Sequence, residues 1–272
     1  MTSFDTLEKS TEDSRPIELY EIVLGSSTFF FTSAEDEITV GANTFIPEPI
    51  ARGQIGKGAD QPSRNLLITM PSSNAFASQY VTIPPGQKAT VNIFRLQRDE
   101  VPAFNTQLLL FKGVVQSVVF PNDGHSADVA IRSIETALNQ NIPRFTFMSM
   151  CNHILYDEAC GALDTDFDFI DVATSISGDT ITITGLGASG IDFVGGYCRP
   201  SGTNDFRMVV EQSGDVLTLL LPFAADPTGG QIQAFAGCDH TLLGDCALVF
   251  DQVANYGGYP FVPSRNIFAT GL

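Results

Sequence analysis

From residue 17 the chain runs as a series of short apolar stretches separated by turn residues. IELYEIVLG, STFFFTS and EITVGANTFIPEPI are enriched in β-branched and aromatic residues, a composition that predicts strands. Gly41-Ala42-Asn43 supplies a tight turn inside the third stretch, so a meander of hairpins is expected. RNLLITMP predicts a further strand, and NAFASQYV reads as a short helix broken by Pro84-Pro85. ATVNIFRLQ, QLLLFKGVVQSVVF and ADVAIRSI extend the sheet, the last two joined by a turn at Pro121-Asn122-Asp123-Gly124. IETALNQNIP holds at most two helical turns and Pro143 closes it.

The second half has a β pattern of its own. FDFIDVATSI, SGDTITITG and NDFRMVVEQSGDVLTLLLPF alternate strands with turns at Ser177-Gly178-Asp179 and Ser213-Gly214-Asp215. These two hairpins indicate a small sheet. The expected organisation is a polar arm over 1–16, a β-rich region over 17–142 and a cysteine-bearing domain over 143–272, with the boundary near 138–146. The fold class is mainly β with few short helices.

Composition narrows the partners. With 272 residues, 43% of them hydrophobic, the chain can bury a substantial core. A formal charge of −17 argues against affinity for phosphate backbones, which requires clustered Lys and Arg. No stretch approaches the roughly 20 apolar residues that span a bilayer, so no membrane anchor is expected. The start, MTSFDTLEKSTEDSRP, is polar and acidic where a secretory signal would be basic and then apolar. Folding in a cytosol, with thiols reduced, is therefore expected.

The candidate chemistry lies in two cysteine pairs, Cys151-x8-Cys160 and Cys238-x7-Cys246, each opened by Cys-x-His at His153 and His240. Thiolates are soft ligands, and four of them indicate zinc or an iron–sulfur cluster. The spacings differ from the C-x2-4-C knuckles of structural zinc, while cluster loops tolerate more varied spacing. Two disulfides, 151–160 and 238–246, and ordinary buried thiols are the competing readings. Ligands from both ends of the C-terminal half would let a metal centre close that domain like a clasp. His153 and His240 could complete a mixed set or serve as hydrogen-bonding residues. Cys198 has no partner at similar spacing and reads as a structural thiol.

Other motifs fail. Gly185-Leu186-Gly187-Ala188-Ser189-Gly190 matches a dinucleotide-binding fingerprint, with Asp205 at the ribose-binding distance, but IDFVGGYC follows where a long helix should begin. Asp164, Asp166 and Asp168 imitate a calcium loop, yet Phe169 and Ser175 occupy its glycine and bidentate carboxylate positions. They read instead as a solvated strand face. Three histidines and no nucleophile elbow give no support to a hydrolase triad, so no catalytic residue and no enzymatic activity are expected. A soluble zinc or iron–sulfur metalloprotein with a redox or hydrolytic role is the alternative.

Three segments carry a family resemblance over roughly residues 145–264: CNHILYDEACG, the Gly-x-x-x-x-Ser-Gly-x-Asn stretch from Gly196 to Asn204, and AGCDHTLLGDCALVFDQVANYGGYPFVPS. Together they resemble the tail-hub family of long-tailed phages and gene transfer agents, related in role to the tail-tip protein of phage lambda. IELYEIVLG and TFIPEPIARG are similar to that family's opening strands. The resemblance implies an N-terminal β-barrel-like hub region and a small C-terminal α+β domain closed by a metal cluster. It implies a structural virion protein, assembled in the bacterial host cytoplasm and located at the tail tip. There it would close the tail tube below the distal tail protein and carry the central fibre, assembled as a ring for which a homotrimer is implied. DNA would only pass through the lumen, which an acidic protein suits. Carried over residue by residue, Cys151, Cys160, Cys238 and Cys246 would hold one [4Fe–4S] cluster, with Cys198 outside the set. Where relatives end in Asn-Phe-x-Gly-Phe-Pro, this chain has Asn255-Tyr256-Gly257-Gly258-Tyr259-Pro260, a change that leaves the four cysteines in place.

Overall fold

The computed structural model describes residues 4–55, 65–101, 103–104, 106–122, 124–134 and 145–262. The chain divides into two compact units, 1–140 and 141–272. No helix among the described residues is long and apolar enough to cross a membrane.

The N-terminal unit begins with a short helix, α1 (Phe4–Glu8), on the segment expected to be an arm. Phe4 and Leu7 are buried, and Glu8 accepts hydrogen bonds from Arg95 and Gln97. Nine strands follow: β1 (Pro16–Leu24), β2 (Ser27–Thr32), β3 (Ile38–Val40), β4 (Asn43–Pro47), β5 (Ala51–Arg52), β6 (Asn65–Pro71), β7 (Thr90–Gln97), β8 (Leu108–Val119) and β9 (Ser126–Ser133). They form one sheet in the order β3-β4-β2-β1-β7-β8-β9-β6-β5. All pairings are antiparallel except that of β2 with β4.

Successive side chains on a strand point to opposite faces, and β1 uses both. Tyr20 and Ile22 join a core with Phe31, Ile68, Ile93 and Val129, whereas Ile17 and Leu19 join another with Ile38, Phe45 and Leu96. Phe76, just before a single 3-10 turn at Ala77–Tyr80, is fully buried in the first core. That turn stands where the sequence predicts a short helix. The helical turns expected over 134–143 lie outside the described residues beyond Ile134, as does most of the expected boundary.

The C-terminal unit contains β10 (Asp168–Ser177), β11 (Thr180–Ile183), β12 (Tyr197–Pro200), β13 (Arg207–Ser213), β14 (Val216–Leu219) and β15 (Gln231–Phe235). They close into a barrel in the order β10-β11-β14-β13-β12-β15. This corrects the expected assignment of architectures. The barrel is in the C-terminal unit, in place of a small α+β domain, and the N-terminal unit is a nine-stranded sheet. Two strands that each serve two neighbours supply the closure, and the longer of them, β10, has ten residues. Its first half pairs with β15 and its second with β11, across a register shift at Ala173/Ser175. β13 does the same between β12 and β14, with its shift at Val209/Glu211. Such bulges bend a strand and turn the corners of a barrel. Ile181, Ile183, Cys198, Val209, Leu217 and Ile232 point inward and fill it.

The rejected motifs have plain structures. Leu186–Ala188 is one 3-10 turn, and a Cβ on Gly187 would stand 2.8 Å from the backbone of Gly214. Asp164–Asp166 is another 3-10 turn, and of the three aspartates only Asp168 lies on a strand.

Candidate metal centre

Cys151 and Cys160 lie in the segment that precedes the barrel, and Cys238 and Cys246 in the segment that follows β15. Cys246 sits on a four-residue helix, α2 (Asp245–Leu248). All five cysteines carry free thiols. Cys151, Cys160, Cys238 and Cys246 line one cavity, together with His153 and His240 and the apolar side chains of Leu155 and Phe250.

Hydrogen bonds fix the loops in this arrangement. The Cys151 amide donates to the His240 carbonyl at 2.9 Å, which ties the first cysteine segment to the second. The Tyr256 hydroxyl donates to the carbonyls of Ser149 and His240. The Asn152 side-chain amide donates to the carbonyls of Thr146 and Gly257 at 3.0 and 2.9 Å. Asp157 accepts from the Cys160 amide at 2.6 Å, and Asn255 donates to the Cys160 carbonyl at 3.3 Å. His240 is held at φ 57 and Tyr156 at φ 67. Left-handed backbone on non-glycine residues persists only where its surroundings fix it.

Two thiols already receive backbone donors: the His240 amide reaches Cys238 Sγ and the Gly257 amide reaches Cys151 Sγ, each at 3.3 Å. Donors of this kind stabilise sulfur that carries negative charge. Two of the four thiols, Cys238 and Cys246, resist ionising. Burial pushes Cys238 up to about 11, with Asp245, Asp239 and Cys160 adding to the shift and the His240 amide opposing it. Burial also raises Cys246, aided by Cys151, Cys160 and Asp239. A bound cation would reverse that balance, because a coordinating thiol is deprotonated outright.

Among the described residues, three donor atoms come within 4.8 Å of one another at Cys238, Asp239 and Asp245, and no three of the four thiols do so. Four thiolates on a single tetrahedral zinc stand about 3.8 Å apart, from a Zn–S bond of about 2.3 Å. A polynuclear centre, with each thiolate on a different metal atom, needs wider separation. The Asp239 and Asp245 carboxylates act as loop caps: Asp239 accepts from the amide and hydroxyl of Thr241, and Asp245 accepts from the Asp239 amide.

The fifth cysteine is separate. Cys198 is fully buried on β12, in the barrel core. Burial, with Asp205 adding and Arg207 opposing, pushes its thiol up to about 12, which makes it inert. Both histidines left open by the sequence lie on the cavity wall. Sequence reasoning missed Asp157, Asn255, Tyr256 and Gly257 as parts of the site, although the last three stand in the closing stretch that carried the resemblance.

Residues 17–163 match the family described as baseplate hub protein, N-terminal attachment domain. Residues 193–266 match a second family, phage conserved hypothetical protein BR0599. No curated protein matches the chain. Among solved structures, a chain from "Virion of native gene transfer agent (GTA) particle" shares the fold, with a TM-score of 0.72 and 17% identity over 98% of this chain and 94% of that one.

Proposed function

The chain belongs to the baseplate hub protein family, and from that premise we propose that it closes the tail tube at the tip of a phage-type particle, below the distal tail protein, and carries the central fibre. It is a structural component of the virion. A homotrimeric ring is the assembly this reading expects, with DNA passing through a lumen that an acidic chain does not make adhesive. Its role is mechanical, without catalysis. Antibody labelling of intact particles should mark the tail tip, and label confined to the capsid would overturn the placement.

Within this role Cys151, Cys160, Cys238 and Cys246 hold one [4Fe–4S] cluster. The observation that carries the reading is the convergence of these four free thiols on one cavity from both sides of the barrel in sequence. The amide donors to two of the sulfurs support it. When bound, the cluster supplies four metal–thiolate bonds and thus a cross-link between the two segments. Its binding free energy becomes folding free energy of the loops. Protein purified without oxygen should be brown, with broad visible absorption and iron and acid-labile sulfide in equal amounts. Colourless protein with zinc and no sulfide would overturn the assignment.

A further inference from the structure

His153 follows Cys151 by two residues and lines the same cavity as the four thiols. Its Nδ1 is buried and has no hydrogen-bond partner. Buried polar atoms in folded proteins are nearly always paired, so an orphaned one points to a group that completes it. The ring is also confined. Phe145 meets it edge to face at 5.7 Å, and a Cβ on Gly257 would stand 2.5 Å from Nε2. Gly257 has no left-handed φ, so its backbone conformation does not demand glycine, and the imidazole beside it does. The Gly257 amide also donates to Cys151 Sγ. The position of the ring, the orientation of one thiol and the missing side chain thus belong to a single device. His240 differs, because its backbone makes the contacts: its amide donates to Cys238 Sγ and its carbonyl accepts from Cys151 and Tyr256.

We infer that His153 is a positioning residue for the metal centre, its Nδ1–H donating a hydrogen bond to sulfur of the group that the four thiols hold. The inference rests on the cluster proposed above. Four thiolates satisfy the four irons, which leaves the imidazole the role of donor. Hydrogen bonds to cluster sulfur draw off negative charge, favour the reduced state and raise the reduction potential. They also strengthen retention of the metal, as outer partners of ligands do elsewhere.

The test uses the full chain, purified without oxygen, as wild type, His153→Asn and His153→Leu. Asn keeps an N–H donor close to the Nδ1 position, while Leu fills space and donates nothing. Midpoint potential and the rate of iron release to a chelator are the readouts. Leu should lower the potential and speed release about tenfold or more, and Asn should remain near wild type in both. Wild-type potential and release in the Leu variant would overturn the inference, and so would an Asn variant that behaves like Leu, the outcome expected of a ring that only fills space. Wild-type protein labelled with 15N at histidine gives a readout that does not depend on any variant loading. A hyperfine coupling between the reduced cluster and one histidine nitrogen, absent in His153→Asn, is expected, and no coupling in loaded wild type contradicts the inference. Wild type that contains no iron and no sulfide would instead defeat the cluster reading itself, before any variant is made.

Discussion

The N-terminal unit is stitched together by strands, with β1 buried on both faces between two apolar cores, whereas the cysteine segments of the C-terminal unit have little regular structure and little core. Only Ala162, Ala236 and Phe250 are buried in their own cluster. Ile154 and Leu163 remain 62% and 61% exposed, and Leu243 and Leu248 each 82%. The barrel beside them has a filled interior. Apolar burial is thinner in the loops than in the sheet and the barrel, and hydrogen bonds between the two segments hold them together.

The largest test of this contrast removes one thiol. Cys246→Ser should abolish iron binding and forfeit metal-linked stability on the order of 10 kcal/mol, as for structural metal sites generally. Hydrogen exchange should then show protection lost over 145–163 and 236–262, and retained in β1, β7 and the barrel strands. Loss of protection in the N-terminal sheet as well would break the contrast. The reverse experiment is Ile93→Ala, which opens a cavity where the side chain is fully buried. It should cost about 2–5 kcal/mol in the unfolding of the N-terminal unit and leave iron per chain unchanged.

Smaller effects sharpen the same division. Gly257→Ala forces a methyl against the His153 ring and should cost about 1–3 kcal/mol, within the cysteine segments alone. Combined with His153→Ala, the cost should fall below the sum of the two single changes, because the groups are in contact. The smallest effect is a pH dependence of the N-terminal unit. Burial alone would raise the Glu18 carboxyl, yet hydrogen bonds from Arg52 and Tyr20 and the charges of Arg52 and Arg95 outweigh it and hold it below its ordinary 4.5. The unfolded chain therefore takes up the proton first, so stability present above pH 4.5 is lost as pH falls through the depressed value. Denaturant midpoints measured against pH should show this decline, and Glu18→Gln should flatten it.

The strands most legible in the sequence are those with strong alternation, such as Leu66, Ile68 and Met70 on β6 and Ala127, Val129 and Ile131 on β9. Barrel closure was not legible because it depends on β12 and β15. β12 is the four-residue Tyr197-Cys198-Arg199-Pro200, with little alternation and a closing proline. β15 pairs with β10 at a distance that no local turn encodes. The four cysteines that meet in one cavity were legible as a group because thiols in matched pairs are rare enough to stand out. Their supporting groups were not, since Asp157, Asn255, Tyr256 and Gly257 act through loop geometry that exists only once the two segments meet.

The most direct measurement of the central claim, that one polynuclear centre joins the two cysteine segments, is the iron and acid-labile sulfide content of the full chain isolated without oxygen. The account predicts about four iron and about four sulfide per chain, falling to near none in Cys246→Ser. About one zinc with no sulfide, or a metal-free chain whose four thiols are paired as disulfides, would contradict it.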